Sequence, residues 1–434
     1  MLTPLELLQN LIRFDTTNPP GNELACVEFI DDLLTEAGFE TTLLAKDPNR
    51  PNLIARLKGR GDAPPLLFQG HVDVVTTVGQ DWSVSPFEAE IKDGFLWGRG
   101  TLDMKGAVAM MVSAVMRAKT EGIVPAGDII LCVLSDEENG GGFGAKFLVD
   151  EHPEQFAGVK YAISEFGGWN MELAGKTFFP IQIAEKRGVN LVAKVRGEPG
   201  HASGIFRDSA MGKTGRLLDQ LDRLQMPIHV TPAVRHMLTT ISDQLDFPAN
   251  FMIRRLLNPT TAAAALKIMG KQGAVLEPLL KHTVNPTIIN GGVKSNVIPH
   301  EINLQFDVRM LPGFEPEEFL DELLSQLDTD AEFTILGAGP LGPAEPDLGL
   351  YPLLADILKQ ARPEGEPTPL VLQAVTDARF FNSLGIQTYG FTPLDLPSDL
   401  DVGRMAHGVD ERIPVGSPEF GTQAMVELIR RYGE

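Results

Sequence analysis

Five short stretches of this chain carry side chains suited to holding metal. They are His71-Val72-Asp73, the segment Gly98 to Gly106 (GRGTLDMKG) with Asp103, and Asp136-Glu137-Glu138, followed by the single acid Glu165 and by Ala406-His407-Gly408. Two imidazoles, one carboxylate able to bridge and two flanking carboxylates are hard and borderline ligands that suit a pair of zinc-like ions. Asp103 is the best bridging candidate. His71 and Glu165 complete one metal, and Glu138 and His407 the other. Glu137, beside a ligand, is left as the base that takes a proton from water and passes it to a leaving amine. Asp73, two residues from His71, is expected to accept the other imidazole proton and fix the tautomer. Each piece alone is weak: His-X-Asp arises by chance, Glu-Glu after a strand is usually a solvated turn, and Asp103 could cap a helix starting near Met104. The order and placement of all of them together point to an amide-hydrolysing metalloenzyme.

That placement comes from the elements. Leu66-Leu67-Phe68 precedes His71, the apolar run Asp128 to Leu134 precedes Asp136, and Tyr161-Ala162-Ile163 precedes Glu165. Each acid or imidazole therefore sits just past the C-terminal end of a strand, where open α/β sheets bind ligands. The Asp128–Leu134 run is continuous enough to be buried on both faces. Helices are expected at Thr3–Phe14, opened by a Thr3/Glu6 capping box with Pro4 at the first position, at Glu23–Ala37, and at Met104–Lys119. Strands alternating with helices predict an α/β catalytic domain with a mostly parallel mixed sheet flanked by helices.

From about Glu185 the pattern changes. Gly188–Val195 and Ile302–Val308 alternate as strands, Asp208–Leu224 is an amphipathic helix, and Asp243–Lys281 is further helical material. This predicts an inserted α+β lid or dimerisation domain, with catalytic segments at 1–186 and 312–434 around an insertion at 187–311. Helices at Pro316–Leu327, Tyr351–Ala361 and Pro418–Arg431 and a strand at Gln387–Phe391 are read as the chain's return, with Gly337–Gly349 as a Gly/Pro loop.

A length of 434 residues fits two domains. The net charge of −21 leaves no basic face for nucleic acid. Cys26 and Cys132, the only cysteines, each lie in apolar surroundings and read as small hydrophobes, so any metal must use His, Asp and Glu. The first residues lack a basic region and a long apolar run, and no stretch approaches a membrane span. A cytoplasmic protein with no membrane partner is expected.

On these motifs the chain resembles the co-catalytic zinc metallopeptidases of clan MH, the family of aminoacylase, carboxypeptidase G, carboxypeptidase S and succinyl-diaminopimelate desuccinylase. The resemblance runs from Phe14–Gly21 (FDTTNPPG) through the metal motifs to Ala406-His407. Its opening stretch and Met104 look most like the aminoacylase and carboxypeptidase S branch. It implies the ligand roles above, two Zn2+ per chain with Co2+ or Mn2+ as substitutes, and a cis peptide at Asp103-Met104. It further implies that His201, in Gly200-His201-Ala202-Ser203, crosses a homodimer interface to stabilise the oxyanion in the neighbouring site. Asn296, in the Gly291–Pro299 loop, becomes a substrate contact. Arg309 and Arg379 become candidates to hold a substrate carboxylate, a task that suits the planar guanidinium. The implied substrate is an N-acyl amino acid or small peptide with a free carboxylate. The alternatives are a dipeptidase, a desuccinylase-type deacylase, or a metal-binding relative without turnover. The chain departs from many relatives in having Ala374-Val375 before Thr376-Asp377-Ala378-Arg379, and its 245–281 stretch is long for a lid.

Overall fold

The computed structural model describes residues 2–398 and 400–434. The chain forms two compact units: residues 1–183, 347–370 and 376–434 make the first, and 184–346 with 371–375 the second.

The first unit is built on a nine-stranded mixed sheet. At its centre Ile129–Leu134, Leu66–His71 and Tyr161–Ser164 lie side by side and parallel, with Gln387–Gly390 parallel to the last. All six residues of Ile129–Leu134 are buried, as the continuous apolar run predicts. The Lys105–Thr120 helix is buried on nearly every side, which explains its Ala, Met and Val composition. Its first residue, Lys105, is itself buried. The Lys105 ammonium donates to the carbonyls of Leu11 and Phe14 at 3.1 and 2.7 Å, tying this helix to the end of the first one. That first helix, Pro4–Ile12, has the expected capping box: Thr3 Oγ1 accepts from the Glu6 N–H, and Glu6 accepts from the Thr3 N–H. Cys26 and Cys132 are buried free thiols.

The second unit contains a four-stranded antiparallel sheet in the order Thr283–Gly291, Glu301–Met310, Arg187–Arg196, Glu332–Ala338. Helices Ala210–Asp222 and Pro316–Ser325 bury Leu217, Leu221, Phe319 and Leu323 in the same core as Leu191, Leu304 and Phe306. Four further helices between Pro232 and Leu276 form a helical excursion. The second unit thus outlasts the expected boundary at 311. Phe319 and Leu323 belong to its core, and Glu332–Ala338 pairs with Arg187–Arg196, so the return to the first unit comes only at Asp347. The Gly/Pro loop read from Gly337 starts two residues later than expected, because Gly337 and Ala338 still pair into the sheet as the strand's last residues.

Candidate active site

The three central parallel strands of the first unit end at one edge. His71 closes its strand opposite Leu134, and Ser135-Asp136 leads into a short 3-10 turn, Glu137–Asn139. Glu165 follows Tyr161–Ser164 directly. Asp103 arrives on the tight loop before the Lys105–Thr120 helix, and its peptide to Met104 is cis. Gly100 and Gly106 let that loop lie flat. Gly100 has φ +90°, and a Cβ on Gly106 would stand 2.1 Å from the Thr101 carbonyl. Asp103 does not cap the helix; Met104 occupies the cap position without a side-chain hydrogen bond.

These elements converge on Asp103. Its Oδ1 lies 3.2 Å from His71 Nε2, and its Oδ2 lies 3.2 Å from His407 Nε2. Glu165 Oε2 stands 3.7 Å from His71 Nε2, and Glu138 Oε2 stands 3.2 Å from His407 Nε2. His71, Asp103 and Glu165 form one compact donor set, and Asp103, Glu138 and His407 a second. Asp103, Glu165 and His71 are buried, whereas His407 is exposed and has φ +63°, a left-handed conformation that a non-glycine residue adopts at a cost. The second oxygen of Glu138, Oε1, is buried with no hydrogen-bond partner. Four donor atoms of hard and borderline type around one two-faced carboxylate, with an unclaimed buried oxygen beside them, fit a pair of divalent cations.

The protonation pattern follows from crowding. Burial, with Asp103 nearby, pushes Glu165 up to about 8. Burial and Glu165 hold Glu137 well above the carboxylate range, and burial raises Glu138. Asp103 and Glu138 push His407 up to about 10. Burial alone would lower His71, but Asp103, Asp73 and Glu165 outweigh it. For Asp103 burial works upward, and the two imidazoles overcome it and hold the acid low.

His71 Nδ1 lies 3.0 Å from the Asp73 main-chain carbonyl and 3.4 Å from Asp73 Oδ1. A carbonyl only accepts, so Nδ1 carries a proton, and on loss of the other proton Nε2 would offer its lone pair to a ligand. The carbonyl is thus the nearer partner, and the carboxylate expected from the sequence stands behind it. The carboxylate has other work: it accepts the N–H groups of Glu137 at 3.2 Å and Glu138 at 3.1 Å, and the Asn18 amide at 2.8 Å.

Three supporting groups escaped the sequence. Asn18, in the Pro-rich opening stretch, also donates to Asp136 Oδ1 at 3.0 Å. Arg50 pairs with Asp136 at 2.9 Å and with buried Glu23 at 2.6 Å. Glu411 is fully buried and accepts from the N–H groups of Gly100, Leu102 and Asp103 at 3.1, 2.7 and 3.2 Å, and from Arg99 at 2.6 Å. Its nearness to His407 in sequence was the one available signal.

The residues added by resemblance are more dispersed. Arg379 Nη1 stands 3.9 Å from Glu137 Oε1 and lies over the Phe380 ring. His201 and Asn296 are exposed in the second unit and adjacent: Ala202 N–H donates to the Asn296 carbonyl at 3.1 Å, and His201 Nδ1 lies 2.8 Å from Ser203 Oγ. The Arg309 fork is taken up by Asp307, at 2.7 and 3.1 Å. A third imidazole–carboxylate group, His229, His282 and Glu322, lies in the second unit. There Leu311 N–H donates to His282 Nδ1, and burial pushes this imidazole down to about 3, so its Nε2 carries the proton and offers no lone pair to a metal.

Comparison with known proteins follows the same lines. A profile of peptidase family M20/M25/M40 matches residues 67–431. The human N-fatty-acyl-amino acid synthase/hydrolase PM20D1 is 29% identical over 383 residues, covering 84% of this chain and 74% of that one. The succinyl-diaminopimelate desuccinylase of Maricaulis maris is 28% identical over 438 residues, covering 100% and 96%. An M20 family metallo-carboxypeptidase of Sulfolobus solfataricus shares the fold, with a TM-score of 0.66 over 100% of both chains at 14% identity.

Proposed function

The chain belongs to peptidase family M20/M25/M40 and is a hydrolase of that family; on that premise we propose that it cleaves the amide bond of an N-acyl amino acid or small peptide bearing a free carboxylate. The observation that carries the proposal is Asp103, which turns one oxygen to each of two imidazoles, 3.2 Å away on either side. The named activities of the relatives, on N-fatty-acyl amino acids and on a succinyl amide, support the substrate class.

His71, Asp103 and Glu165 would hold one divalent cation, and Asp103, Glu138 and His407 the other, with zinc as the natural occupant and cobalt or manganese as substitutes. A metal pair at such ligands supplies an acidified water and a polarised carbonyl. Glu137 takes the proton from the attacking water as the new C–O bond forms, and delivers it to the amide nitrogen as the C–N bond breaks, leaving a carboxylate and a free amine. Asp73 fixes Glu137 and Glu138 by their main chain. Asn296 and Arg379 would contact substrate, and Arg309 would join them only by leaving Asp307. His201 would serve the active site of a second copy in a homodimer formed through the second unit. The exposed edge strand Thr283–Gly291, with Ile288 and Ile289 outward, favours that pairing. The two free buried thiols agree with a reducing, cytoplasmic setting.

The test is amine release from N-acetyl, longer N-acyl and dipeptide substrates, with zinc or cobalt added and again after chelation. Metal-dependent release is expected, and the preferred acyl group separates aminoacylase from dipeptidase and desuccinylase. A folded, metal-loaded protein inert on every member of the panel would overturn the proposal in favour of a metal-binding relative without turnover.

A further inference from the structure

The helical excursion of the second unit, beyond its first helix, has a composition unlike the rest of the chain. Residues 247–276 contain four cations, Arg254, Arg255, Lys267 and Lys271, and none of the chain's 58 acidic side chains. Its helices Ala249–Leu256 and Pro259–Met269 are amphipathic. One side buries Ile253, Leu256, Ala262, Ala265 and Leu266. The other side is not simply polar. Phe247 is 80% exposed, Ile268 75% and Val275 68%, and Phe251 is exposed next to Phe247. The Phe247 and Phe251 rings lie 6.4 Å apart, and the Arg255 guanidinium sits 4.6 Å over the Phe251 ring. Arg254 is paired with Asp243.

We propose that this outer face docks on an anionic lipid surface. Bulky apolar side chains interleaved with Lys and Arg on short amphipathic helices match what an interfacial helix presents: rings and aliphatic chains for the acyl boundary, cations for the headgroups. A protein interface is the weaker fit. The buried centre of such an interface is depleted in Lys, and two copies meeting face to face would set Arg255, Lys267 and Lys271 against their own kind. A chain of net charge −21 is repelled from an anionic bilayer over most of its surface, so this face also sets the orientation of approach. The expectation of no membrane partner rested on the lack of a spanning segment. Among the described residues no helix is long and apolar enough to cross a membrane, and surface docking needs none. The inference is independent of which amide is cleaved.

The experiment is co-sedimentation of the full chain with phosphatidylcholine vesicles, with and without phosphatidylserine, at low and high salt. Binding to the phosphatidylserine vesicles that is released by salt is expected. Lys267→Glu/Lys271→Glu should weaken that binding by at least about tenfold. Phe247→Ser/Ile268→Ser should also weaken it, both variants hydrolysing a water-soluble substrate at the wild-type rate. Equal recovery with both vesicle compositions, recovery with neither, or a charge-reversed variant that binds like wild type would overturn the proposal. So would a change confined to the oligomeric state in lipid-free sedimentation, which would make a second copy of the chain the occupant.

Discussion

The Asp73 carboxylate accepts the main-chain N–H of Glu137 at 3.2 Å and, through its other oxygen, that of Glu138 at 3.1 Å. One buried acid therefore sets the proposed base and a member of the second donor set together, while its own carbonyl faces Nδ1 of His71 in the first. Asp73→Asn keeps the shape but offers only one acceptor oxygen to these two N–H groups. It should lower kcat by about tenfold to a hundredfold, with a smaller effect on KM, and second-site metal content should fall with it. A variant with unchanged kcat and full metal would show that the 3-10 turn holds itself.

Glu137→Gln tests the base. Both donor sets remain, so metal content should stay at the wild-type level while the rate falls by about 10²–10⁴. Glu138→Ala is the counterpart. It removes a carboxylate 3.2 Å from His407, and metal analysis should show one equivalent lost with the His71 set retained.

Glu411 anchors the loop that carries Asp103. Glu411→Ala strands three N–H donors in a buried setting, each worth about 1–3 kcal/mol when left unpaired, and takes the carboxylate from Arg99 Nη1 while Nη2 keeps Gln80 and the Gly408 carbonyl. Lower thermal stability and weaker affinity for both metals are expected, read by calorimetry and metal titration without reference to turnover. Wild-type metal affinity in a destabilised variant would confine Glu411 to folding.

Arg379 lies 3.9 Å from Glu137 Oε1, close to where a substrate carboxylate would have to sit if this arginine holds it. Arg379→Ala should then raise KM for free-carboxylate substrates by about tenfold to a hundredfold and leave the amidated analogues unchanged. An equal fall in kcat on both substrate types would assign Arg379 to the base instead.

Lys186 gives a pH dependence. Burial, with Arg309 nearby, pushes this ammonium down to about 7 from the ordinary 10.5. Between those values the unfolded chain holds a proton that the folded chain has released, so stability rises with pH across that window, by up to about 1.4 kcal/mol per unit. Below about 7 both states are protonated and the buried charge burdens the fold. Hydrogen exchange in the Arg187–Arg196 and Glu301–Met310 strands should show protection increasing from pH 7 to 10, and Lys186→Met should flatten the profile.

The site was legible where chemistry and periodicity coincide. His71, Glu137 and Glu165 each follow a short apolar run, and a run buried on both faces announces its own end. The supports were not legible. Asn18 meets Asp73 and Asp136 across 55 and 118 residues, and Glu411 meets the Asp103 loop across more than 300, with no local pattern to mark either. The boundary at 311 failed for a related reason. Pro316–Ser325 reads as an ordinary amphipathic helix, and only the partner chosen by its Phe319 and Leu323 decides which core it joins.

Asp103 and the two groups that complete its surroundings, His407 and Glu411, are separated by the whole second unit. During synthesis the ribosome delivers Asp103 long before either partner exists. A nascent chain shorter than 407 residues holds a bridging acid with one imidazole and a loop without its anchor, so it has no second metal set to fill. On the proposed ligand set, acquisition of the second metal is thereby deferred until His407 has been synthesised, well after Asp103 and the whole second unit.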